Sequence, residues 1–144
     1  MNSSDIYQDE IVTLAKSGTG AARLENPDAT VTLDNPLCGD RVTLDVTVAD
    51  GRITNIGHRV RGCMLCEASA ALVARDGIGL GADTVKGAHE NLEAVLKSSA
   101  TPGADDAWSG IAVFAPVAEF KSRHECVLLP FEALARAVDE AGGA

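Results

Sequence analysis

Aromatic side chains are scarce in this 144-residue chain: three Phe, one Tyr and one Trp make up 3% of it. Apolar residues still reach 46%, so the core has to be assembled from Ala, Val, Leu and Ile. A chain of this length buries enough of them to fold without cross-links, and a single domain over residues 1–144 is expected. Positive charge is scarce as well. Twelve Lys and Arg stand against 21 Asp and Glu, for a net charge of −9. This excludes a nucleic-acid partner, because phosphate recognition needs a basic surface. An acidic surface suits solubility and docking to a basic patch on a partner. No apolar run is long enough to cross a bilayer, which excludes a membrane helix. Met1–Asn2–Ser3–Ser4–Asp5 has neither the basic start nor the apolar run of a leader peptide, so the cytoplasm is expected. Cysteine is limited to Cys38, Cys63, Cys66 and Cys126. In a reducing compartment these read as metal ligands or reactive thiols rather than disulfides. The competing reading is that some are small buried apolar residues.

The hydrophobic pattern predicts a helix from Ile6 to Lys16, capped by Ser4 or Asp5 and ended by Ser17–Gly20. A brief strand is expected at Val31–Asp34. Between Arg41 and Ala49, Val42, Leu44, Val46 and Val48 alternate with polar residues, the period of a half-buried strand. Asp50–Gly51 signals a hairpin, and the partner strand Arg52–Arg61 breaks alternation enough to predict a bulge near Asn55 or Gly57. At Gly62–Cys63 the period changes to helical. Met64–Arg75 is Ala-rich, Gly77–Gly81 reads as a flexible connector, and Asp83 opens a helix burying Val85, Ala88, Leu92, Val95 and Leu96. Ser98–Ser109 looks like an inserted surface loop, clamped by Trp108, Ile111, Val113 and Phe114. A last helix is expected at Pro130–Glu140, with Pro130 in its first turn. Strands followed by helices predict an α+β domain, with helices on one face of a small antiparallel sheet of about three strands.

Three stretches carry chemistry. In Asn35–Pro36–Leu37–Cys38–Gly39–Asp40, a thiol and a carboxylate two residues apart can converge, and Gly39 permits a tight bend. This is half of a tetrahedral metal site, or equally a turn in which Asp40 receives nearby amides. In Gly62–Cys63–Met64–Leu65–Cys66, Cys63 falls at a strand-to-helix junction, where free amides and the helix dipole favour a thiolate. The C-x-x-C pair also permits a redox reading, although an antiparallel hairpin precedes it rather than the βαβ unit of thioredoxin. In Arg123–His124–Glu125–Cys126, Cys126 lies at or just before the start of the final helix. His124 is a candidate ligand or acid–base group, with an exposed loop position the commoner outcome. His58 and His89 are expected at the surface.

Taken jointly, Asn35-Pro36-x-Cys38-Gly39-Asp40, the hairpin, Gly62-Cys63 followed by Ala68-Ser69-Ala70, and Arg123-x-x-Cys126 resemble the NifU/IscU/SufU iron–sulfur cluster assembly family. The resemblance covers most of the chain from Asn35 to Leu134 and implies a SufE/NifU-like fold. It also implies a metal site of Cys38, Asp40, Cys63 and Cys126, holding zinc or a nascent 2Fe–2S cluster. A long stretch between Cys63 and Cys126, Glu125 where IscU-type proteins carry His, and the absence of Leu-Pro-Pro-Val-Lys are closest to the SufU branch. That branch implies a zinc-dependent sulfur acceptor for a SufS-like cysteine desulfurase, with Cys38 as the persulfide acceptor and downstream iron–sulfur proteins as recipients. An IscU-like scaffold, or a non-catalytic structural zinc domain, are the alternatives. Cys66 is extra to the family pattern and is expected to be packed, with a spare-ligand or resolving-thiol role the alternative. Arg123 and His124 are its other auxiliary candidates.

Overall fold

The computed structural model describes residues 9–37, 39–98 and 106–142, with side chains from 110 onward in the last segment. In chain order it has helix α1 (Asp9–Ser17), strands β1 (Ala29–Asn35), β2 (Asp40–Ala49) and β3 (Arg52–Arg61), and helices α2 (Met64–Asp76) and α3 (Ala82–Ser98). A succession of 3-10 turns (Asp106–Glu119), one further turn (Lys121–Arg123) and helix α4 (His124–Gly142) complete it. The expected start of α1 at Ile6, with its cap, lies outside the described residues.

The sheet is antiparallel in the order β1-β2-β3. Asp50 and Gly51 both have positive φ, 54° and 75°, the backbone that a tight two-residue hairpin demands. Thr47 faces Asn55 while Val48 faces Ile53, so Thr54 is the extra residue of a bulge, one position before the expected Asn55. One face of the sheet carries Val31, Val42, Leu44, Val46 and Ile56, all buried. Helix α4 packs across β1 and β2 on that face, α2 packs on β3 and against α4, α3 lies against α4, and α1 lies against α2. Thr30, Thr32 and Asp34 on the opposite face are exposed. This is the predicted three-stranded α+β arrangement. Each fully buried Leu or Ile in the interface adds about 1.5–3 kcal/mol, which is how a chain with so few aromatics holds together.

Three expectations are revised. Helix α4 begins at His124, six residues before Pro130, so Pro130 sits inside it. Proline has no N–H to offer the carbonyl four residues back, here that of Cys126. The helix nevertheless continues, because Cys126, Val127, Phe131, Leu134 and Val138 form one buried stripe. Ser69 Oγ of α2 donates to the neighbouring Val127 carbonyl at 2.6 Å. The glycine connector is pinned rather than free: Gly79 donates to the Ile53 carbonyl at 2.7 Å and Ile53 to that of Leu80 at 2.9 Å. Part of the expected loop is the 3-10 segment. Ile111 and Phe114 are buried as predicted and Val113 packs at the core margin, while the side chain of Trp108 lies outside the described residues.

Candidate metal centre

Asp40 opens β2 on the same face as Val42 and Leu44, so its carboxylate points toward the helices and is 2% exposed. The strand that follows, β3, ends at Arg61, and Gly62 carries the chain past that carboxylate. A Cβ on Gly62 would overlap Asp40 Oδ1. Cys63 then caps α2 from an extended conformation (φ −76°, ψ 169°). Its backbone N–H donates to Asp40 Oδ1 at 3.1 Å, so the carboxylate fixes the start of the helix. Cys126, in the first turn of α4, is fully buried beside it. A hydrogen bond from Cys126 and the N–H groups of Cys66 and Leu65 favour the Cys63 thiolate. Together they outweigh burial and the neighbouring carboxylate, and bring the Cys63 thiol down to about 6.

The ligand atoms of Asp40, Cys63 and Cys126 lie within 4.8 Å of one another. Metal–sulfur and metal–oxygen bonds of about 2.0–2.3 Å put the donors of a tetrahedral ion about 3.3–3.8 Å apart, inside this limit. The second oxygen, Asp40 Oδ2, is buried and has no hydrogen-bond partner among the described residues. A buried carboxylate oxygen facing two thiols, one already biased toward thiolate, is a donor set that fits a soft or borderline cation.

Cys38 lies outside the described residues. Its flanks form a turn in which Gly39 N–H donates to the Asn35 carbonyl at 2.8 Å and Leu37 N–H to Asn35 Oδ1 at 3.2 Å. Gly39 takes φ +74°, which the glycine at this position makes accessible. Cys66 is fully buried in the core, and burial followed by the Asp40 and Cys63 charges pushes its thiol up. It is a packed residue and not one of the three converging donors. His124 departs from its expected exposure: it is 6% exposed, with Nε2 3.0 Å from the Ala118 carbonyl, and does not join the donor group. His58 is likewise buried rather than superficial. It rests on the inner face of β3 with Nε2 2.8 Å from the Thr19 carbonyl, and burial lowers its pKa against that hydrogen bond. Arg123 closes the turn before α4 through its N–H to the Phe120 carbonyl at 2.9 Å, and the exposed Glu125 pairs with Lys97 at 3.6 Å. Two residues that the sequence reading named only as motif members gain a role: Gly62, whose missing side chain makes room for Asp40, and Asn35, whose amide faces the interior. Among the described residues no helix is long and apolar enough to cross a membrane.

The fold and the site can be set beside known proteins. Over 136 residues, 92% of each chain, the sequence is 26% identical to the iron–sulfur cluster assembly scaffold protein IscU of Thermotoga maritima. The relatives IscU 1 and IscU 2 of Archaeoglobus fulgidus match over 67 residues at 28% identity, so the alignment takes in 46% of this chain and 44% of each of theirs. Among solved structures, the N-terminal part of a nitrogen-fixing NifU-like protein from Brucella abortus superimposes with a TM-score of 0.92 at 31% identity, over 97% of this chain and 96% of that one. A candidate iron–sulfur cluster assembly scaffold protein for the SUF system from Fervidobacterium islandicum shares the fold, with a TM-score of 0.86 at 24% identity and coverage of 95% and 99%. The family model for the NifU-like N terminal domain matches residues 6–127, a span that includes the turn before Asp40, both ends of the hairpin and Cys126, and the chain belongs to that family.

Proposed function

We propose that this chain is a cytoplasmic iron–sulfur cluster assembly protein of SufU type, which takes persulfide sulfur from a cysteine desulfurase at a zinc centre of Cys38, Asp40, Cys63 and Cys126. The observation that carries this reading is the convergence of Asp40, Cys63 and Cys126 within 4.8 Å. The sequence supplies the fourth donor, in Cys38-Gly39-Asp40, and the SufU-like features around Glu125 and Arg123. Zinc, when bound, would keep the coordinated thiols deprotonated at neutral pH.

The chain's own residues divide the work unequally. Cys63 and Cys126 belong to helix ends in the core, where displacement would disturb capping and packing. Asp40 is the hard, weak ligand of the set and the one most readily exchanged. Cys38 has Gly39 next to it in the sequence, outside both helices, and is the thiol that accepts sulfur. Its thiolate attacks the outer sulfur of the desulfurase persulfide; a sulfur–sulfur bond forms on Cys38, the desulfurase bond breaks, and the desulfurase thiolate leaves. The product is a persulfide on Cys38, ready for a downstream iron–sulfur protein.

Similarity to relatives that are cluster assembly scaffolds favours a second reading, a scaffold whose cargo is a 2Fe–2S cluster on the same residues. Anaerobic purification with metal and sulfide analysis separates the two. One colourless zinc per chain supports the sulfur acceptor. Brown protein with acid-labile sulfide supports the scaffold, and loss of neither metal on substituting Cys63 and Cys126 would refute both.

A further inference from the structure

Asn35 ends β1 opposite Asp40 in the β1–β2 register, so the two side chains are cross-strand neighbours on the buried face. Asn35 is 5% exposed and Asp40 2% exposed. The orientation of the Asn35 amide is set by its surroundings: Oδ1 accepts the N–H of Leu37 at 3.2 Å, in the manner of an Asx turn, which leaves Nδ2 directed elsewhere. Nδ2 is buried and has no partner among the described residues, and the same holds for Asp40 Oδ2. A donor and an acceptor thus stand side by side on paired residues without bonding each other. Leaving a buried amide unmatched is costly, and a turn does not require it, since Ser or Asp would supply the turn-forming oxygen as well. A buried carboxylate oxygen can be met by a cation, and a buried amide N–H by an acceptor such as an anionic sulfur. A metal ion carrying an anionic sulfur meets both demands at once.

We infer that the side-chain amide of Asn35 is a hydrogen-bond donor to an anionic sulfur, thiolate or persulfide, held at the centre beside Asp40. The inference rests on the metal-centre reading above and adds a residue to it. Asn35 lowers the negative charge on the sulfur and holds its lone pair in place, as hydrogen bonds to metal ligands do.

Cobalt(II) alone is the probe, because its thiolate charge-transfer band reports the electron density on sulfur. The variants are Asn35→Asp and Asn35→Ser, which both keep a turn-forming oxygen and lose the amide. Both are expected to move the band to longer wavelength, and Asn35→Ser, which adds no charge, to weaken Co(II) about tenfold. A wild-type band position in both folded variants overturns the inference and leaves the centre standing. So does loss of the folded circular-dichroism signal in both, which would make the amide structural. If one variant unfolds, the other decides. Absence of any thiolate band in the wild-type protein takes down the centre and this inference together.

Discussion

The carboxylate of Asp40 occupies the space that a side chain on Gly62 would need: a Cβ there meets Oδ1, Cγ and Cβ of Asp40. The same Oδ1 receives the N–H of Cys63. Strand end, helix start and candidate ligand are therefore fixed by one close approach.

Gly62→Ala should push Asp40 out of line. The expected cost is about 1–3 kcal/mol of overpacking, with a fall in zinc affinity measured by competition with a chromophoric chelator. Gly87→Ala is the control, because nothing lies within 4 Å of a Cβ there and the position is inside α3. It should stabilise the protein by roughly 0.5–1 kcal/mol. Equal zinc affinity in the two variants would separate Asp40 from metal binding.

In metal-free protein, iodoacetamide should modify Cys63 readily at pH 7, one unit above its pKa of about 6, and more slowly as the pH is lowered through 6. Cys66, buried and pushed up, should react only on unfolding. Peptide mapping by mass spectrometry gives both rates. Cys66→Ala should keep full metal content at a cost of roughly 1 kcal/mol; loss of stoichiometric metal would make Cys66 a ligand.

Incubation with cysteine and a SufS-like desulfurase should place an added sulfur on Cys38, seen as a mass gain of that peptide, and Cys38→Ala should abolish stimulation of desulfurase turnover. Asp40→Ala should retain metal and slow the transfer. Persulfide on Cys126 with an active Cys38 variant would favour the scaffold.

An acid limb of stability should come from Asp45. Burial raises its pKa, but hydrogen bonds from Arg23, Thr30 and the Leu24 N–H, with the Arg23 charge, lower it overall. A carboxylate held below its unfolded value stabilises the fold above that value and loses the contribution as pH falls through the folded pKa. Urea midpoints should therefore decline below about pH 4. Asp45→Asn should cost about 1.5–3 kcal/mol at pH 7 and flatten the decline. The Arg23 side chain is 44% exposed, so salt should weaken the effect only in part.

The hairpin was legible because Asp50–Gly51 and the Val42–Val48 alternation are local signals, and Cys63 and Cys126 were legible from their places near helix starts. What escaped reading depends on tertiary contacts. Pro130 read as a helix start because proline is tolerated there, whereas the buried stripe of α4 lets the helix run through it. His58 and His124 read as surface residues because a polar side chain gives no local sign of burial; each is housed by a carbonyl distant from the motif, at Thr19 and Ala118. The role of Gly62 needed the position of Asp40, 22 residues earlier and brought alongside only by the β2–β3 register.

The Ser69–Val127 hydrogen bond joins α2 to α4 one residue beyond Cys126, within a core that extends through Leu72, Phe131 and Leu134. The two thiols are thus mounted on a joint already formed by packing, unlike a zinc finger, whose ligands gather only as the chain folds around the ion. Calorimetry should accordingly show a small heat-capacity change on zinc uptake, and a chelator should strip the ion while the circular-dichroism spectrum stays unaltered. On that outcome the protein would be emptied and refilled without passing through its denatured state, as the proposed carrier role requires and a structural zinc domain does not allow.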